Sequence, residues 1–186
     1  MQFTFIEKKM TVYNISNLPK GDNNYFIDTN VLLNLHGLNG NISKEEDYST
    51  LIEIIIENNQ NVVMDVVTLS EFVNRYAKSL LQEQSVTDFK KENLRRNPVY
   101  PKILKMVGEA IKEIKNTYKI QFCCDGYDFL KELHTINIEE ILTKVDFNDY
   151  AVYHLCKVHN CILVTDDADF SIYKSDIDIL TANRKM

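Results

Sequence analysis

The sequence predicts an α/β fold built on a central, mainly parallel sheet, and three observations carry that prediction. Short apolar runs, Tyr25-Phe26-Ile27 near the start and Cys161-Ile162-Leu163-Val164 near the finish, stop abruptly at or near acidic residues. Such runs have no polar face of their own, as strands do when helices cover both sides of a sheet. Between them, strand-like segments alternate with segments whose apolar residues recur at helical spacing, which is the pattern of parallel strands joined by helices.

Taken in order, residues 2–6 and 11–15 alternate weakly and are expected to pair as a hairpin within an N-terminal extension over 1–24; the stretch 17–24, with Pro19 and Gly21, reads as a loop. Tyr25 to Ile27 is a buried strand, and Val31 to Leu35 a short helix or apolar turn that Gly37 to Asn41 interrupts. Ser43 is the expected N-cap of a helix through Asn58, with Leu51, Ile52, Ile54, Ile55 and Ile56 as its apolar face. Val62 to Val67 is the next strand. Thr68 is expected to open a helix to about Leu81, since Phe72, Val73, Tyr76, Ala77 and Leu80 fall at helical spacing. Pro98 and Pro101 bracket a break. A long amphipathic helix to about Tyr118 then places Ile103, Val107, Ala110, Ile111, Ile114 and Tyr118 on one face and lysines on the other. Short helices are expected at Tyr127–His134 and Ile138–Leu142, a further helix at Asp149–Val158, and strands at Cys161–Val164 and Ile177–Leu180.

Composition bounds the function classes. A chain of 186 residues, 45% hydrophobic and without a Pro/Gly/Ser-rich linker or repeat, builds one sizeable core, so a single domain over 1–186 is expected. The N-terminus lacks the apolar stretch of a signal peptide and no run approaches ~18 apolar residues, so a soluble, cytoplasmic protein without a membrane partner is expected. Cys123, Cys124, Cys156 and Cys161 show no C-x-x-C spacing and read as buried free thiols.

The net charge of -6 argues against bulk attraction to nucleic acid. It conceals an asymmetry, because Val86 to Lys119 holds nine basic and four acidic residues, leaving eleven net negative charges on the remainder. Residues 82–146 thus read as a helical, basic insertion. Lys90, Lys91, Arg95, Arg96, Lys102 and Lys105 are its candidates for phosphate contacts, against the plain alternative of a solvated helical face.

Element lengths bring four acids to one edge. A helix from Asp149 to His159 covers about 15 Å, and a strand over Cys161 to Asp166 returns roughly 17 to 20 Å, so Asp149 and Asp167 meet at the carboxyl edge of the sheet. Asp28 ends its own strand there, and Glu71 lies in the first turn of the helix after the 62–67 strand. Each has a structural alternative: Glu71 stands three residues after Thr68, the capping-box spacing, while Asp149 suits a helix N-terminus and Asp28 and Asp167 suit turns. Asp166 and Asp169 read as outer-shell or solvent-facing, and Asp65 and Asp146 as surface or outer-shell residues.

With those residues in place, the chain resembles the PIN-domain nucleases, a family that includes the ribonuclease toxins of bacterial toxin-antitoxin pairs. The resemblance rests on Phe26-Ile-Asp28-Thr-Asn30-Val-Leu, on Thr68-Leu-Ser-Glu71-Phe, and on the segment from Asp149 through Thr165-Asp-Asp167-Ala-Asp-Phe170. It implies a Rossmann-like, three-layer fold and an acidic quartet of Asp28, Glu71, Asp149 and Asp167 supported by Asn30 and Thr165. It further implies hydrolysis of RNA to 5′-phosphate and 3′-hydroxyl ends, with an antitoxin protein and a homodimer as expected partners. Four carboxylates with no positioned Cys or Ser/His pair point to Mg2+ or Mn2+ held through oxygen. The rival reading is a non-catalytic RNA- or protein-binding module of the same fold. A dehalogenase-type phosphatase would want a second Asp where Asn30 stands, and a topoisomerase-primase-type domain would prefer Glu after the first strand.

Overall fold

The computed structural model describes residues 12–14, 18–19, 21–38, 42–118, 120–123, 129, 131, 133 and 135–183. Its centre is a six-stranded sheet ordered β1-β6-β5-β2-β3-β4, formed by Val12–Asn14 (β1), Asn24–Ile27 (β2), Asn61–Met64 (β3), Gln121–Phe122 (β4), Cys161–Val164 (β5) and Ile179–Thr181 (β6). Every pairing is parallel. The helices bounded among the described residues are Thr29–Leu35 (α1), Ile42–Glu57 (α2), Val66–Glu83 (α3), Lys91–Arg96 (α4), Tyr100–Thr117 (α5), Ile138–Leu142 (α6) and Phe147–Val158 (α7), with a 3-10 turn over Ala168–Tyr173. No described helix is long and apolar enough to cross a membrane.

Parallel strands place successive side chains on opposite faces, and the apolar runs use both. Tyr25, Ile27, Val62, Met64, Ile162, Val164 and Leu180 point into one core with α1, α2, α3 and the second half of α5. Phe26, Cys161, Leu163 and Ile179 point into the other, closed by Tyr150, Val152, Tyr153, Leu155 and Cys156 of α7 and by Phe170. These two cores make the architecture three-layered. Leu80 and Leu81 at the end of α3 form a third cluster with Ile103 and Val107 of α5, against which Leu94 of α4 packs.

The topology decides where a site can lie. From β2 the chain steps outward through β3 and β4, then returns to the other side of β2 for β5 and β6. The strand order therefore reverses between β2 and β5, and in open α/β sheets the crevice beyond the carboxyl ends of such strands is where ligands bind. Ile27 is in register with Val164, and the Asp28 amide extends the ladder with a 3.0 Å bond to the Val164 carbonyl.

Several expectations change. Helix α2 begins at Ile42, so Ser43 lies inside it rather than capping it. The strand expected over Val62–Val67 ends at Met64, and α3 begins at Val66 rather than Thr68. Asp65, 7% exposed, is the N-cap: its Oδ1 accepts the Thr68 amide at 2.7 Å. Thr68 and Glu71 therefore do not form a capping box. The α7 helix begins at Phe147, capped by Asp146, and the last strand runs to Thr181. Of the expected N-terminal hairpin, residues 2–6 lie outside the described residues, while Val12–Asn14 is an edge strand parallel to β6. Most of the helix expected at Tyr127–His134 also lies outside them.

The capping assignment is testable. Asp65→Ala leaves the Thr68 amide without its acceptor and should cost about 1–2 kcal/mol in urea-induced unfolding. An unchanged midpoint and slope would contradict it.

Candidate active site

Each acid reaches the carboxyl edge by a different local device. Asp28 is the residue after β2 and the N-cap of α1, in extended backbone, with only 7% of its surface exposed. Its Oδ2 accepts the hydroxyl of fully buried Thr165 at 2.7 Å and the carboxamide of Asn30 at 3.3 Å. The same Asn30 amide lies 3.1 Å from Asp167 Oδ2, so one side chain bridges the ends of β2 and β5. Thr165 closes the loop from the other direction, because its hydroxyl oxygen accepts the Asp167 amide at 3.0 Å. Asp167 in turn caps the 3-10 turn, its Oδ1 accepting the Asp169 amide at 3.0 Å.

Glu71 comes from the second turn of α3, not the first as expected, because the helix begins at Val66; Asp149 comes from the first turn of α7. The Thr29 hydroxyl donates to the Thr68 carbonyl at 3.3 Å and ties the first turn of α3 to the first turn of α1. Glu71 follows on α3 with its side chain 34% exposed and its Oε1 3.1 Å from Arg75 Nη1. Asp149 sits in the first turn of α7, its amide donating to Asp146 Oδ1 at 2.8 Å.

Electrostatics shows that the four acids form one cluster. Burial pushes the Asp28 carboxyl up from 3.8 to about 6; its bond to Thr165 opposes this, and the charges of Glu71 and Asp167 add to it. Burial likewise raises Asp149 to about 7, reinforced by Asp146, Asp167, Asp28 and Asp169. The neighbouring Asp166 turns the other way. It accepts from Lys44 Nζ at 2.8 Å and from Tyr48 Oη at 3.1 Å, so it braces α2 rather than joining the cluster. No three of the described His, Cys, Asp and Glu side chains are close enough to clasp an ion, so the acids form an electrostatic cluster rather than a closed coordination sphere. The donor set is nonetheless all oxygen and carries the excess negative charge that a hard divalent cation relieves.

The sequence-predicted acids and their supports Asn30 and Thr165 are thus brought together. The basic candidates are not. Lys90 and Lys91 stand at the start of α4, Arg95 and Arg96 at its end, and Lys102 and Lys105 in the first turns of α5. This region packs on Leu80 and Leu81, roughly 15 Å along α3 from Glu71. Arg95, Arg96 and Lys102 are exposed, and Lys105 lies 3.9 Å from Glu109. Sequence reasoning left out Thr29 and undervalued Asp146, whose position three residues before Asp149 is the N-cap spacing that would have identified it.

Because the folded pKa of Asp28 lies above its unfolded value, the folded chain holds extra protons between pH 3.8 and about 6. Asp149 extends that window to about 7. Stability in chelator should therefore be fullest below the unfolded value and fall as pH rises through the window. Asp28→Asn should remove much of that loss and stabilise the chelated protein at pH 7.5 by on the order of 2 to 3 kcal/mol, read from thermal or urea unfolding. A destabilised Asp28→Asn protein at that pH would contradict the electrostatic account.

Comparison with known proteins agrees with this geometry. The family model described as PIN domain matches residues 25–175, a span that begins in β2 and takes in all four acids. No curated relative and no solved structure matches the chain. Members of the matched family are generally nucleases. On a match over most of its length, and on a parallel sheet that gathers the acids at its switch point, the chain belongs to the PIN-domain family.

Proposed function

We propose that this PIN domain is a Mg2+- or Mn2+-dependent endoribonuclease whose acidic quartet is Asp28, Glu71, Asp149 and Asp167. One observation carries the reading: a buried carboxylate with a raised pKa shares Asn30 with Asp167 and feels the charges of further acids at the strand-order reversal. A divalent ion bound there supplies neutralisation of the phosphodiester charge and a lowered pKa for its coordinated water.

The chain's own residues do the rest. Asp28 and Asp167 would hold the ion from adjacent strand ends, where the Asn30 bridge and the Thr165 hydroxyl orient their carboxylates. Asp149, half-buried on α7, completes the set from the opposite layer. Glu71 reaches in from α3, with Arg75 competing for its carboxylate. No Ser, Cys or Lys serves as nucleophile in this reading; water attacks in line, and the family resemblance implies products with 5′-phosphate and 3′-hydroxyl ends. The distant basic face of α4 and α5 grips the RNA backbone outside the reacting centre. A toxin role would place control with a protein partner that covers the carboxyl edge.

Purified protein incubated with labelled RNA in Mg2+, Mn2+ or EDTA tests this. Cleavage should appear only with metal and fall by orders of magnitude in Asp28→Asn, Asp149→Asn and Asp167→Asn. Glu71→Gln should lose less. Undiminished cleavage in EDTA, or a fully active Asp28→Asn protein, contradicts the reading, and absence of any cleavage favours the binding-module alternative.

The basic face makes a separate prediction. Replacing Lys90, Lys91, Arg95 and Arg96 by Ala should raise KM and flatten the salt dependence of RNA binding. The single-turnover rate at saturation should change only a few-fold. Identical salt slopes and affinities in the two proteins would remove this face from RNA binding.

A further inference from the structure

A groove opens between the N-terminal half of α3 and the first turn of α7, lined by Val66, Val67, Ser70, Glu71, Asn74 and Asn148, with a volume of about 460 Å³. We propose that it seats one nucleobase of the RNA strand beside the scissile phosphate, with adenine preferred; this rests on the nuclease reading above.

Position supplies the first argument. Glu71 belongs to both the acid cluster and the groove wall, and Asn148 precedes Asp149, so the groove begins where the acids end. A strand whose phosphate lies at the acids has its neighbouring nucleoside within reach of it.

Charge supplies the second. Glu71 is the one charged residue of the lining, and its carboxylate is paired with Arg75. A lining without a cation does not suit a phosphate, but it suits the neutral part of a nucleotide.

The side-chain chemistry supplies the third. Ser70, Asn74 and Asn148 are exposed and their side chains make no hydrogen bond among the described residues, so the side-chain donors and acceptors are available. A carboxamide presents a donor and an acceptor side by side, the pattern that pairs bidentately with N6 and N7 of adenine. Val66 and Val67, at 67% and 41% exposure, offer an apolar surface for the face of a base. A groove half amide and hydroxyl, open to the acids, favours a base over an apolar protein segment, and its volume is that of a small-ligand site.

Two measurements on the full chain test this. The first uses short single-stranded RNAs with adenine or uracil beside a central phosphate, bound to Asp28→Asn protein, so that affinity is read without turnover. Adenine should bind about tenfold tighter, and Asn74→Ala and Asn148→Ala in that background should each reduce the ratio toward one. The second maps cleavage of a randomised RNA by wild-type protein through the ends of its products. Adenine should be enriched at one position flanking the cut and lose that enrichment in the same two variants. Both asparagines are exposed, so fold is retained, and circular dichroism checks it. Equal affinities, or an enrichment that both variants keep, overturns the base subsite. Metal-dependent cleavage with no flanking preference overturns the subsite while sparing the nuclease reading.

Discussion

The carboxyl edge of this protein is organised around the burial of Asp28. A carboxylate with 7% of its surface exposed is costly to ionise unless something compensates it, and the protein supplies only part of the compensation. The Thr165 hydroxyl and the Asn30 amide each give one hydrogen bond, but Glu71 and Asp167 add like charge. The two supports are themselves structural hinges: Asn30 joins the ends of β2 and β5, and Thr165 holds the backbone turn that aims Asp167. Local stability is thereby given up to keep oxygen ligands close together, which is the arrangement expected where a cation completes the site.

Much of this was legible in the sequence because buried parallel strands and the acids that end them leave a clear signal. Tyr25-Phe26-Ile27 and Cys161-Ile162-Leu163-Val164 have no polar alternation, which marks strands covered on both faces, and both are. Position after such a run was enough to place Asp28 and Asp167. Less legible was Val66-Val67, a β-branched pair that reads as the continuation of a strand. Both residues instead lie exposed on the first turn of α3, because Asp65 caps that helix and stops the strand at Met64. The two-residue strand β4, paired with β3, is too short to show a period. Nor does spacing distinguish Asp166 from Asp167. The turn sends the first to Lys44 and Tyr48 on α2 and the second to Asn30.

The division of charge follows the architecture. Acids cluster where the strand order reverses, and cations gather on α4 and α5 at the far end of α3, so one long helix separates the two. Under the proposed nuclease reading, a polyanion drawn to the basic face would extend along or across α3 to bring a phosphate to Asp28. The separation would allow capture without lysines beside the carboxylates, where they would neutralise the charge a cation needs. Among the described residues, the Glu71–Arg75 pair brings a protein cation to the acid cluster, and its partial exposure keeps it exchangeable.

The most direct test of the central claim is calorimetric titration of Mn2+ into the metal-free protein at pH 6.0 in buffers of different ionisation enthalpy, with Asp28→Asn beside the wild type. Asp28 and Asp149, with carboxyls raised to about 6 and about 7, should release protons as the ion binds, and that release should fade when the titration is repeated at pH 8.5. Asp28→Asn should bind Mn2+ weakly and release fewer protons. Binding of equal strength in both proteins, or no binding in either, would contradict the claim that the buried Asp28 cluster is a metal centre.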